Sequence, residues 1–184
     1  MSYNKFDPAT GTTRIVPMLL AVGNHDMGSY SYAGIHHVHN QHQPIMKHWF
    51  PQHTLFGDIP SIKERRPYFH HQFGDKLLIM SLDVGYDALM EGEQLDWMIE
   101  ILEESNAEIK LVQFHGPIIT CFKTTEPEDL VVVDVGQKVW IPIFDKYNVT
   151  IVSENHSHVF MRSKMLKNMG EDTNSSLYIG KVNF

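Results

Sequence analysis

The sequence of 184 residues has little cysteine, no block of basic residues and no long apolar run. Its single cysteine, Cys121, excludes an internal disulfide bond. The net charge of −7, without a Lys/Arg cluster, argues against a nucleic-acid partner. No apolar run reaches the roughly 18 residues of a membrane-spanning helix. Residues 1–11 lack the apolar core of a secretory signal. The sequence therefore predicts neither a nucleic-acid nor a membrane partner, and leaves the oligomeric state and the compartment unknown.

The composition is that of a globular protein with many histidines. Hydrophobic residues make up 42% of the chain and charged residues 20%, which excludes a disordered or collagenous chain. A chain of this length can bury about 70% of its unfolded surface, so we expect a single domain over residues 1–184. The 12 histidines, together with the carboxylates, equip such a chain to bind metal.

Three apolar segments each end in a cluster of polar residues. They are residues 16–22, 110–114 and 149–152, followed respectively by Gly23-Asn24-His25-Asp26, by His115-Gly116-Pro117 and by Ser153-Glu154-Asn155-His156-Ser157-His158. Short apolar runs with β-branched residues are typical of strands that are buried on both faces. Open α/β sheets place their ligands at the carboxyl ends of such strands, so we expect the polar clusters to meet there.

The remaining segments predict helices and further strands. Leu95, Met98, Ile99 and Leu102 have the spacing of an amphipathic helix. The other elements predicted are a helix over 140–147 that starts late or is kinked at Pro142, a hairpin of 68–73 and 76–82, and a strand pair of 159–166 and 177–179. The resulting fold class is α/β with mixed sheets.

The polar clusters contain a set of metal-ligand types. Asn24 offers an amide oxygen, and His115, His156 and His158 offer imidazole nitrogens. Mixed nitrogen and oxygen ligation suits Zn, Fe, Mn or Co better than a thiolate site would. Asp26 follows His25 directly, and it either orients that imidazole or caps the next segment.

These motifs resemble those of a known family. Gly23-Asn24-His25-Asp26 resembles the GNH(D/E) signature of the calcineurin-like metallophosphoesterases, and Asn155-His156-Ser157-His158 is similar to their GHxH signature. His115 matches the isolated histidine between the two signatures. Leu82-Asp83 and the stretches 92–97 and 159–162 resemble the purple acid phosphatase branch. The resemblance spans residues 17–180.

The resemblance implies a fold, a reaction and a set of roles. The fold is a pair of mixed β-sheets sandwiched by helices, and the reaction is metal-dependent hydrolysis of phosphate monoesters, either small molecules or phosphoproteins. Two metal ions are implied, Fe with Fe, Zn or Mn. Asn24, His115 and His156 would bind one ion and His158 the other. His25 would be catalytic, protonating the leaving oxygen, with Asp26 supporting it.

Two signatures of the family have no counterpart in the sequence. DxH and GDxx precede GNH(D/E) in the family, but the 22 residues before Gly23 contain neither. We therefore expect an N-terminally incomplete domain with an incomplete ligand set. A secreted or vacuolar location then stays compatible with the sequence. Asn155 replaces the first glycine of GHxH, and asparagine tolerates the positive φ expected there.

Three alternatives remain open at the level of sequence. The same site would also serve phosphodiester hydrolysis. A non-catalytic scaffold would keep the fold without the metals. The histidines between residues 36 and 42 suit either a metal tract or a solvated loop over the substrate pocket, and we favour the loop. These histidines are His36, His37, His39 and His42.

Overall fold

The computed structural model describes residues 2–27, 43–49, 61–119, 127–167, 169–171, 173 and 176–180. The strands are β1 Ser2–Asp7, β2 Thr12–Pro17, β3 Phe69–Phe73, β4 Leu77–Ser81, β5 Ile109–Gln113, β6 Ile151–Glu154, β7 Met161–Lys167, β8 Gly170–Glu171 and β9 Ser176–Gly180. The helices are α1 Asn24–Met27, α2 Gln43–Trp49, α3 Glu93–Glu104, α4 Pro127–Val135 and α5 Ile141–Lys146, with a π-helical turn at Gly136–Trp140 between α4 and α5. None of the helices in these ranges combines the length and the apolar character that a membrane-spanning helix needs.

Seven strands form one mixed sheet in the order β3-β4-β5-β6-β9-β7-β8, while β1 and β2 pair separately. The neighbours from β4 through β5 and β6 to β9 are parallel. The outer pairs β3–β4, β7–β9 and β7–β8 are antiparallel. The predicted α/β class with mixed sheets is therefore confirmed, and the carboxyl ends of the parallel strands share one edge.

Most of the predicted elements are present. The β3–β4 hairpin, helix α3, strand β5 and the β7–β9 pair confirm the sequence patterns. Strand β6 begins at Ile151, two residues later than predicted. Helix α5 carries Pro142 in its first turn, directly after the π-helical turn Gly136–Trp140.

The prediction of a sheet strand over residues 16–22 is wrong. Strand β2 ends at Pro17 and pairs only with β1, and residues 18–23 have no regular structure. Side chains of the main sheet satisfy this segment instead, because Ser81 Oγ donates to Leu20 O at 3.2 Å and Gln113 Nε2 donates to Leu19 O at 3.2 Å. Hydrophobicity alone does not distinguish a strand from an extended segment that borders a sheet.

The core lies on one face of the main sheet. Leu78, Met80 and Val112 are fully buried on this face, against Trp140 and Phe144 of the helical layer. Fully and partly buried positions alternate along β6 and β9. Full burial of both faces, as predicted for residues 110–114 and 149–152, is not observed in β5 or β6.

A buried carboxylate organises the turn that follows β4. Asp83 is completely buried, and its carboxylate accepts the backbone N–H groups of Tyr86 at 3.0 Å, Asp87 at 2.7 Å and Ala88 at 2.6 Å. Gln94 of α3 exchanges two hydrogen bonds of 2.8 Å with the backbone of Asp83. The turn is thereby tied to the start of α3.

Burial of Asp83 predicts a pH dependence of stability. Desolvation outweighs the three N–H bonds and raises the pKa of Asp83 to about 6 from 3.8. The folded protein holds this proton more tightly, so the contribution is complete below about pH 4 and is lost as the pH rises through about 6. We expect the unfolding free energy of the wild type, relative to Asp83→Asn, to fall by up to about 3 kcal/mol between these limits.

Urea denaturation of both proteins at several pH values measures this difference. The asparagine variant is the matched control, because it keeps the shape of the side chain and removes its titration. Other titrating groups act on both proteins and cancel in the difference. A rise with pH in the unfolding free energy of the wild type relative to Asp83→Asn would contradict the raised pKa.

Candidate functional site

Three predicted ligands meet at the carboxyl ends of the parallel strands. His115 follows β5 and His156 follows β6, while Asn24 is the first residue of α1. His115 Nε2 lies 3.0 Å from Asn24 Oδ1 and 3.2 Å from His156 Nδ1. Asn24 is only 2% exposed, and both histidines are half-buried. Three polar atoms from separate parts of the chain therefore converge on one place.

The chemistry of these atoms fits a cation. A neutral imidazole carries a single ring proton, so the His115 Nε2 proton cannot satisfy both neighbours well. A divalent ion with bonds of about 2.1 Å separates its neighbouring ligand atoms by about 3.0 Å in an octahedral site and about 3.4 Å in a tetrahedral one. The observed separations of 3.0 and 3.2 Å lie in this range. Both separations from His115 Nε2 are thus those of neighbouring ligands of one ion.

Close packing at Gly23 brings Asn24 up to His115. A Cβ atom at Gly23 would lie 3.1 Å from the His115 ring, tighter than an ordinary contact. Asp26 Oδ2 accepts the N–H of Gly23 at 3.0 Å, and Asp26 N donates to Gly23 O at 3.1 Å. Asp26 therefore closes the first turn of α1, one of the two roles considered for it. Its support of His25 stays a prediction.

The other predicted site residues are more exposed. His25 and Asp26 lie at the surface of α1, and His158 is exposed in the loop after β6. Over the described ranges, no three His, Cys, Asp or Glu side chains form a group that could hold a metal ion. His158 and His25 therefore do not complete such a group with His115 and His156. The four histidines between residues 36 and 42, like Cys121, lie outside the described residues.

The turn that carries the paired histidines differs from the expected one. Asn155 was expected to adopt a positive φ, but the left-handed residues are His156 at 64° and His158 at 51°. Such backbone is uncommon for residues other than glycine and clusters at functional sites. The side chain of Asn155 binds the neighbouring loop instead.

Asn155 ties the loop after β6 to the loop after β5. Its backbone N–H donates to His115 O at 3.0 Å, and its side-chain Nδ2 donates to Phe114 O at 3.0 Å. Phe114 N donates to Ser153 O at 3.0 Å. The hydrogen bonding of β5 and β6 thus continues beyond the strands, and it holds His115 beside His156.

Sequence reasoning missed two residues beside this site. Glu154 is fully buried and accepts the N–H groups of Ile118 and Ile119, while burial raises its pKa to about 8. Its signal in the sequence was a carboxylate at the end of an apolar strand. The Tyr86 ring lies 6.0 Å from the His115 ring, centroid to centroid. No pattern pointed to Tyr86, because the Asp83 turn places it.

No protein-family profile and no curated protein sequence matches this chain. Solved structures do match it by fold. One is a purple acid phosphatase from yellow lupin (Lupinus luteus) seeds, with a TM-score of 0.63, 13% identity and 90% of this chain covered. Another is PhoD, with a TM-score of 0.61, 14% identity and 87% of this chain covered.

The chain spans 30% of the length of the lupin enzyme and 38% of that of PhoD. At such low identity the likeness shows the fold alone. The predicted resemblance is confirmed to this extent: the chain has the mixed-sheet α/β fold shared by a purple acid phosphatase and PhoD.

Proposed function

We propose that this chain forms part of a metallophosphoesterase of the purple acid phosphatase type, which hydrolyses phosphate monoesters. The observation that carries the proposal is the convergence of Asn24 Oδ1, His115 Nε2 and His156 Nδ1 at separations of 3.0 and 3.2 Å. Their place at the carboxyl ends of parallel strands supports it, since α/β sheets bind ligands there. The fold likeness to a phosphatase points the same way.

In this proposal, one ion binds to Asn24, His115 and His156, and His158 contributes to a second. The first three ligands are neutral, so they leave the full charge of the ion to attract a phosphate. That local attraction is needed, because the net charge of −7 repels an anionic substrate at long range. The pair of ions would be Fe with Fe, Zn or Mn.

The residues around the phosphate then have separate tasks. Metal ions held by these residues would lower the pKa of a water molecule and so would supply hydroxide near neutral pH. His25 lies next to Asn24 on α1 and is exposed, which supports a role in which it meets the substrate and protonates the leaving oxygen. Asp26 closes the turn that presents His25. Asn24 and His115 would hold the ion.

Metal binding is the direct test of the site. We expect about one zinc or manganese ion per chain at the Asn24, His115 and His156 atoms, measured by calorimetric titration. His115→Ala removes the central ligand and should weaken binding by more than about 100-fold. Affinity should also fall on acidification, because histidine binds metal only when it is neutral.

His48→Ala is the matched control, since His48 is an exposed histidine at the end of α2. It should bind metal as the wild type does. Equal loss in both variants, or unchanged binding in His115→Ala, would remove the basis of the proposal.

The catalytic role of His25 has a separate test in any metal-loaded form that hydrolyses a chromogenic phosphate monoester. His25→Ala should lower kcat by about 100-fold or more and leave the metal content unchanged, because the imidazole moves a proton and binds no ion. Loss of metal from this variant would make His25 a ligand and contradict the role given to it.

A non-catalytic scaffold is the second candidate for this chain. The observation that favours it is the lack, within the described ranges, of any group of three His, Cys, Asp or Glu side chains suited to metal. A folded protein that binds no metal and hydrolyses no ester would support the scaffold. Faster hydrolysis of a chromogenic diester than of the monoester would support the phosphodiesterase alternative instead.

A further inference from the structure

Glu154 is a fully buried carboxyl group. It is the last residue of β6 and lies two positions before His156. Burial of an ionisable side chain is costly unless hydrogen bonds compensate for it. The partners of Glu154 therefore indicate what the group does.

Glu154 binds the loop that carries His115. Its Oε1 accepts the backbone N–H of Ile118 at 3.1 Å and that of Ile119 at 3.0 Å. Two successive N–H groups that point to one acceptor form a concavity suited to an anion. These donors belong to a different strand connection from Glu154 itself, so the contact joins the two loops of the site.

The segment between His115 and these donors is short and tightly packed. Pro117 restricts its backbone, and a Cβ atom at Gly116 would lie 3.0 Å from Val84 Cγ2. Farther along, Gln137 Nε2 donates to Ile118 O at 2.9 Å. Because the residues between them have little conformational freedom, a displacement of Ile118 would also displace His115.

His115 is thus held on both sides. Asn155 binds the carbonyl groups of Phe114 and His115. Glu154 binds the N–H groups three and four residues after His115. Both ties start from the segment that leads directly into His156.

We propose that Glu154 is a positioning residue, which holds His115 against His156 by accepting the N–H groups of Ile118 and Ile119. The proposal rests on the metal site proposed above, and it adds to that site a residue that touches neither ion nor substrate. Outer partners of this kind orient ligands, and their loss typically weakens metal binding about 10- to 100-fold.

Three variants of the full chain separate positioning from simple core packing. Glu154→Ala removes the acceptor. Glu154→Gln keeps one carbonyl oxygen, which can replace Oε1 as the acceptor for both Ile118 and Ile119, and it loses only the longer contact of 3.3 Å from Ile119 N to Oε2. Val152→Ala is the matched control, since Val152 is a fully buried residue of the same strand and face but binds no loop backbone.

The first measurement is zinc affinity by calorimetry. We expect Glu154→Ala to bind zinc about 10- to 100-fold more weakly than the wild type. Glu154→Gln should restore affinity to within about threefold. Val152→Ala should lower the Tm while leaving zinc affinity unchanged. Unchanged affinity in folded Glu154→Ala, or equal loss in Val152→Ala, would overturn the proposal.

The second measurement needs no metal. The rings of His115 and His156 lie 5.1 Å apart, centroid to centroid, so they should give a nuclear Overhauser contact in the metal-free protein. Glu154→Ala should lose this contact, and the other two variants should keep it. If Glu154→Ala does not fold, Glu154→Asp, one methylene shorter, takes its place with the same expectation.

The two measurements keep the proposals distinguishable. A wild-type protein that shows the ring contact but binds no zinc refutes the metal site alone. The response of the ring contact in the Glu154 variants then still decides the positioning role. A ring contact that survives in Glu154→Ala refutes that role even if zinc binds to the wild type.

Discussion

The parallel pairing of β5 with β6 is the constraint on which the candidate site depends. Gln113 lies opposite Ser153 in this register. Both strands end at the same edge of the sheet, so His115 and His156, which follow them, lie side by side. Parallel strands need a long crossover connection, here built from α4, the π-helical turn and α5. That helical layer also covers the buried face of the sheet. The core and the candidate site therefore both depend on the parallel pairing of β5 with β6.

Two buried carboxylates organise the loops at this edge, and they do so over different distances along the chain. Asp83 binds three N–H groups in its own turn, within five residues. Glu154 binds N–H groups 35 and 36 residues away. The hydrogen bonds that each carboxylate accepts from two or three backbone N–H groups offset part of the free-energy cost of burying it. The hydrogen bonds of Asp83 place Tyr86 beside His115. The hydrogen bonds of Glu154 join the loops that carry His115 and His156.

The sequence predicted much of the architecture because each element has a strong local pattern. Helix α3 follows from the spacing of Leu95, Met98 and Leu102, and the β3–β4 hairpin follows from its turn residues. The prediction of a sheet strand over residues 16–22 failed because its structure depends on distant partners. The backbone carbonyl groups of Leu19 and Leu20 accept hydrogen bonds from the side chains of Gln113 and Ser81 in the sheet. No local sequence pattern indicates such distant partners.

For the site, the sequence by itself determined which side chains are available: Asn24, His115 and His156 were identified by residue type and position after apolar segments. Only the tertiary structure decided that these three meet and that His158 does not join them in one cluster. It also revealed the roles of Asn155 and Glu154 in joining the loops. The physical reason is that a motif specifies ligand chemistry locally, whereas the distance between ligands depends on strand register and on buried hydrogen bonds between residues far apart in the chain.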